Sequence, residues 1–218
     1  MKASTAFFAV LTFIFLSCSP SSEPAMEEES PYLGDYSVIE NLLEDLQTSW
    51  IRREIDRYAD LLSEDFVFVF QEDDADGIPD GYWNKDEDVL AVKRIFDSPQ
   101  VTAIRTQLAY GQPEDNQTTK IREENATLIT VTNTFLDVDL DGGETTLRVQ
   151  GDTQLFFFQM GDEAQGEDPS RWYIVEWQDL GSNTLAVVET TTWGGIKFGL
   201  NKPRPAVEAT TWSAIKKG

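Results

Sequence analysis

Ile39, Leu42, Leu43, Leu46 and Trp50 repeat at the spacing that places apolar side chains on one face of a helix. Ser37 followed three residues later by Glu40 is a capping-box pattern and predicts where that helix starts. A short second helix follows, with Asp56 near its start and Ile55, Tyr58, Ala59 and Leu62 as its apolar side. Phe66 to Phe70 is an unbroken apolar run, as expected of a strand covered on both faces. Asn84 with Glu87 opens a third helix, in which Val89, Val92 and Phe96 recur at helical spacing before Pro99 ends it. The pattern then changes. Segments around Val101 to Tyr110, Thr127 to Val138, Thr145 to Gln159 and Trp172 to Asp179 are rich in Thr, Val, Ile and aromatics, with turn residues between them. Helices followed by a run of antiparallel strands predict an α+β architecture.

Ahead of the first helix lies a different kind of pattern. Lys2 precedes an apolar run from Ala6 to Leu16, which leads into Ser17-Cys18-Ser19-Pro20. A positive residue, a short apolar stretch and a small residue before a cut have the layout of a secretory signal peptide. The run is shorter than the roughly 20 apolar residues of a membrane-spanning helix. The segment resembles a bacterial lipobox, with Phe15 and Leu16 departing from its commonest residues, and the resemblance implies lipid attachment at Cys18. The alternative is an ordinary signal peptide cut nearby that leaves one free thiol. Cys18 is the only cysteine, so an intrachain disulfide is excluded. Glu23, Glu27, Glu28 and Glu29, mixed with Ser and Pro, read as a solvated tether.

Charge and composition narrow the chemistry. With 39 acidic residues against 17 basic ones the formal charge is −22, a field that repels nucleic acid and anionic lipid head groups. The chain has no histidine. That removes Ser-His-Asp and Cys-His pairs and histidine-ligated metal sites, and leaves carboxylates, Tyr or Lys as acid and base.

The order of segments resembles the nuclear transport factor 2-like or SnoaL-like fold, grouped with cystatin-like folds. Trp50-Ile51-Arg52-Arg53-Glu54-Ile55-Asp56-Arg57-Tyr58 leading into Leu61 to Phe68 carries the resemblance, as do Trp83 before a charged helix ending Ile95 to Pro99 and the terminal strand Arg171 to Asp179. More narrowly, the chain resembles uncharacterised bacterial lipoproteins of this fold, in which a motif like Thr192-Trp193-Gly194-Gly195-Ile196-Lys197 closes the domain. The resemblance implies a cone, a curved antiparallel sheet wrapped around the N-terminal helices. It implies an interior lined by aromatics, here drawn from Trp50, Tyr58, Phe68, Trp83, Tyr110, Phe135 and Trp177, which read equally well as plain core. Arg105 and Asn133 are the polar residues expected to turn inward if a pocket exists, although strand alternation suits solvent as well. The fold's cyclases, dehydratases and isomerases use an inward Asp, often with His, and no numbered position here takes that role.

Two motifs fall outside this frame. The closing motif recurs 19 residues later, Val188 to Lys197 returning as Val207 to Lys216 with Thr211-Trp212-Ser213-Ala214-Ile215-Lys216. A tandem duplication without function and an amphipathic tail that docks on a partner or a membrane interface both account for it. Glu72, Asp74, Asp76 and Asp80, with Gly77 permitting a tight turn, form a loop suited to calcium, which needs six to eight converging oxygens. It resembles the Asp-Gly-Ile-Pro-Asp loops of calcium repeats, though Trp83 stands where a helix-loop-helix site would place its bidentate Glu. An acidic turn is the plainer reading. Asp137 to Glu144 alternates acids with Val138 and Leu140 before Asp141-Gly142-Gly143, as a half-exposed strand entering a hairpin would.

The expected organisation is thus a signal peptide and lipobox over 1–18, an acidic tether over 19–36, the folded domain over 37–197 and a tail over 198–218. The expected function is that of a lipid-anchored domain of the bacterial envelope, periplasmic or at the outer membrane, that binds a small ligand or a protein without catalysis. The alternatives are a proton-transfer enzyme acting on a small carbonyl compound and a calcium-stabilised interaction module. No cofactor is expected beyond that calcium, no nucleic acid is a partner, and a homodimer is compatible with the fold.

Overall fold

The computed structural model describes residues 30–75, 78–181 and 191–201. Cys18, the tether up to residue 29, Asp76, Gly77 and the second copy of the closing motif lie outside them.

Helix α1 spans Ile39–Arg52, and the five residues that share its apolar face are all buried. It starts one residue later than expected, with Val38 at the cap position and no side-chain cap. Ser37 is drawn away because its hydroxyl donates to Asp35 Oδ1 at 2.6 Å, so the capping box read at Ser37 and Glu40 does not form. Helix α2, Ile55–Asp60, follows at once and buries Tyr58. Strand β1, Leu62–Val69, leads through an acidic 3₁₀ turn at Glu72–Asp74 to the short strand β2, Tyr82–Asn84. The capping box expected for α3, Lys85–Asp97, is complete: Asn84 accepts from the Glu87 amide and Glu87 accepts from the Asn84 amide, each at 3.0 Å.

Strands β3 (Val101–Tyr110), β4 (Glu114–Thr118), β5 (Asn125–Leu140), β6 (Thr145–Met160) and β7 (Trp172–Asp179) complete a seven-stranded sheet. Its order is β2-β1-β7-β6-β5-β3, with β4 added beside β5. The expectation of a purely antiparallel sheet is corrected at one seam, where β1 and β7 run parallel. Parallel pairing puts the whole α3-to-β6 excursion between these neighbours, which brings the last described strand beside the first.

The β5–β6 register shifts between Val131 and Phe135, opposite Gly151, whose φ of 78° is open to glycine and strained for other residues. Such bulges bend long strands and curl the sheet. One face of the curled sheet and helices α1, α2 and α3 share a single apolar core that includes Leu42, Leu46, Phe66, Phe68, Val92, Ile129, Phe156 and Trp177. The opposite face carries a small second cluster, Ala126, Phe157 and Val175. Beside it Glu176 accepts the Lys120 and Ile121 amides at 2.7 and 3.0 Å.

The hairpin expected at Asp141 to Gly143 forms as a tight 3₁₀ turn. The strand before it is less exposed than its alternation suggests. Asp137 is buried because Arg148 grips both its oxygens, at 2.6 and 2.7 Å, while Arg105 bridges Asp137 and Asp139.

Candidate functional site

Helix α4, Trp193–Asn201, is made from the closing motif and enters the core. Its first turn is held by three side chains. Thr192 Oγ1 accepts the Gly195 amide at 2.8 Å and donates to Asp74, and Asp179 Oδ2 accepts the Gly194 amide at 2.7 Å. These bonds satisfy N–H groups that a helix start otherwise leaves orphaned. Trp193, Ile196 and Lys197 then project together, since residues three and four apart share a helix face. All three are buried.

Lys197 ends in a cage. Its ammonium donates to Asp88 Oδ1 at 2.6 Å and to the Tyr58 hydroxyl at 3.3 Å, and Tyr58 donates to Asp88 Oδ2 at 2.5 Å. It also sits 3.6 Å from the centroid of the Phe68 ring and 4.1 Å from that of Trp177. Ring faces attract a cation, and more strongly once both are out of water. The four partners come from four elements: α2 supplies Tyr58, β1 Phe68, α3 Asp88 and β7 Trp177. Burial pushes the Lys197 ammonium below the usual lysine range, against the pull of Asp88. Burial and then the Asp88 charge hold the Tyr58 phenol well above its ordinary value.

A polar relay runs from the cage to the start of α4. Trp177 Nε1 donates to Gln154 Oε1 at 2.7 Å, and Gln154 Nε2 donates to Asp179 Oδ1 at 2.7 Å. Burial raises the Asp179 carboxyl, and the amides of Gly194 and Gly181 and the Gln154 amide group oppose that rise. Nearby Asp152 is 1% exposed, and its Oδ2 has no hydrogen-bond partner among the described residues. Burial, followed by the charges of Asp179 and Asp74, raises its carboxyl to about 7.

The residues singled out in the sequence separate into three groups. Trp50, Tyr58 and Phe68 reach the interior, where the Trp50 ring meets Trp193 edge-on at 4.7 Å. Trp83 is half-buried at the side, against Phe70 and Phe198. Arg105 and Asn133 are exposed and do not enter the interior. In the acidic loop Glu72 and Asp80 are exposed, while Asp74 accepts from Gln71 at 3.1 Å and from Thr192. Among the described residues no group of three or more acidic or cysteine side chains is placed to hold a metal ion, and Asp76 is not one of them.

Asp88, Lys197, Gln154, Asp152 and Asp179 were not singled out. Asp88 had a readable signal, since it stands four residues before Val92 on the apolar face of α3. Lys197 had one too, four residues after Trp193 in a repeated motif. The polar positions of β6 and β7 had one as well, since Asp152 and Gln154 alternate with Phe156 and Phe158, and Asp179 stands two residues after Trp177, all on the inward face.

Three surface grooves are described. Grooves of about 340, 300 and 420 Å³ open beside Asn125 and Trp172, between Asp65 and Arg122, and beside Tyr36 and Arg171. None of these three is lined by a residue of the Lys197 cage.

The fold is similar to the nuclear transport factor 2-like cone. Similar solved structures include a nuclear transport factor 2-like superfamily protein from Salmonella enterica, at 11% identity over 70% of this chain and 94% of that one, with a TM-score of 0.45. A domain of unknown function with a cystatin-like fold from Nostoc punctiforme is similar at 19% identity over 70% and 80%, with a TM-score of 0.41. A hexachlorocyclohexane dehydrochlorinase from Novosphingobium barchaimii is similar at 13% identity over 70% and 91%, with a TM-score of 0.44. The likeness is one of fold and goes no further. No family model and no curated protein matches the chain.

Proposed function

We propose that this chain is a lipid-anchored interaction domain of the bacterial envelope, attached through Cys18, whose cone performs no catalysis. The observation that carries the non-catalytic part is the occupancy of the interior. Trp193, Ile196 and Lys197 fill the space between the helices and the sheet, and each is 1% exposed or less. A small-molecule site is a concave pocket with a few convergent polar groups. Here those groups converge on the protein's own lysine. The dense acidic surface then favours a cationic partner, held at the membrane by the tether.

A second reading is favoured by Asp152. A buried carboxyl raised to about 7, with one oxygen that no described residue meets, is poised as a general base, the role a proton-transfer enzyme of this fold would need. The two readings part on one measurement. The full chain is incubated with small cyclic ketones in D₂O, and deuterium uptake beside the carbonyl is followed by NMR. Uptake equal to that of buffer supports the interaction domain. Uptake above buffer that is lost in Asp152→Asn overturns it in favour of the enzyme.

A further inference from the structure

The socket that receives α4 can be described by what it reads. It takes a threonine hydroxyl at Asp74, an indole against Trp50 and Trp177, an isoleucine in the apolar core, and an ammonium between Asp88, Phe68 and Trp177. The second copy of the motif offers the same four groups at the same spacing: Thr211, Trp212, Ile215 and Lys216. It differs inside the motif only at Ser213 and Ala214, which stand at the positions of Gly194 and Gly195.

Both positions are close-packed. A Cβ at Gly194 would lie 2.6 Å from Phe70 Cδ1, a buried ring, and one at Gly195 would lie 2.4 Å from Thr191 Oγ1. The second contact is relieved by rotating the Thr191 side chain about χ1; the first requires a packed aromatic to shift. The glycine pair therefore gives the first copy the better fit while the second keeps every anchoring group.

We propose that the cone is a peptide socket for a Thr-Trp-x-x-Ile-Lys segment, and that residues 211–216 of the same chain are its second occupant, entering when residues 192–197 withdraw. The inference rests on the reading of the cone as closed by its own chain. Moving the occupant 19 residues along the chain lengthens the loop that follows β7, and the entropy of closing a loop grows only slowly with length. The two copies thus compete as tethered ligands of one site. Occupancy is set by the glycine pair.

The experiment is lysine acylation of the full-length chain at low protein concentration, read residue by residue by mass spectrometry. In the wild type Lys197 is expected to react at least about tenfold more slowly than Lys216, since a buried amine reacts only when the site opens. Exchanging the pairs, in Gly194→Ser, Gly195→Ala, Ser213→Gly and Ala214→Gly combined, is expected to invert that order. In Trp193→Ala with Lys197→Ala, Lys216 is expected to become protected, with a cooperative thermal transition retained. The proposal is overturned if Lys216 stays as reactive as in the wild type in both variants, or if the double variant loses its cooperative transition. It is also overturned if Lys216 protection rises with protein concentration, which would place the occupant on another molecule. If Lys197 and Lys216 react alike in the wild type, the reading of a closed cone fails. Protection of Lys197 without takeover by Lys216 removes only the exchange.

Discussion

The Lys197 ammonium lies 2.6 Å from the Asp88 carboxylate, and neither side chain reaches solvent. Two charges withdrawn from water cost several kcal/mol each, and their attraction offsets this only when the remaining hydrogen-bonding capacity is met. Tyr58 supplies the second bond to Asp88, and the rings of Phe68 and Trp177 take the other faces of the ammonium. The pair joins α3 to α4, so α4 is pinned to the first half of the fold by charge as well as by apolar packing.

That geometry predicts strongly non-additive mutations. Lys197→Met leaves Asp88 buried without its cation, and Asp88→Asn leaves the ammonium without its anion. In a Lys216→Ala background, where the second copy cannot replace the ammonium, each is expected to cost about 3–5 kcal/mol, because an uncompensated charge remains in the core. The double variant, with no buried charge left, is expected to lose less than either single one. Urea denaturation of the four proteins closes the cycle. A double variant whose loss equals the sum of the singles would mean that the pair is not coupled.

Helix starts give a second prediction, and they separate what was readable in the sequence from what was not. Ser37-x-x-Glu40 and Asn84-x-x-Glu87 carry the same local pattern, yet only the second forms a capping box. The competing group is Asp35, which takes the Ser37 hydroxyl two residues away. Asn84→Ala is expected to destabilise the domain by about 1 kcal/mol, and Ser37→Ala by no more than a few tenths. Thermal unfolding of the two single variants checks this, and equal losses would contradict the assigned caps.

The legible part of the fold was its apolar periodicity. Ile39 to Trp50, Phe66 to Phe70 and Val92 to Phe96 were recognisable because burial on one face or both leaves a period in the sequence. The parallel β1–β7 seam leaves no such period, since it depends on which strands meet after more than a hundred intervening residues. The interior site was legible only in its aromatic half. Tyr58, Phe68 and Trp177 announce themselves as core, whereas Asp88, Gln154, Asp152 and Asp179 share the inward faces of α3, β6 and β7 with apolar residues but, being polar, suit solvent equally well until α4 folds over them. Buried polar residues are recognisable by their partners, and those partners come from distant elements.

Asp152 gives the pH dependence a definite sign. Its carboxyl is raised from 3.8 to about 7 in the folded protein, so the folded chain holds that proton more tightly than the unfolded chain. Stability from this group is therefore fully present below the unfolded value and is lost as pH rises through the folded one. The window runs from near 4 to about 7. Above it the ionised carboxylate stays buried beside Asp179 and Asp74, at a cost of about 1–3 kcal/mol. Asp152→Asn carries no charge at any pH, so it is expected to be more stable than the wild type at pH 8 by that amount. At pH 4 the advantage should vanish, because the wild-type side chain is then protonated in the folded state. Denaturation midpoints of both proteins at several values across the window test this through their difference, which cancels the titration of the other carboxylates. A difference that stays constant from pH 4 to pH 8 would show that Asp152 does not titrate there and that its Oδ2 is met by a group outside the described residues.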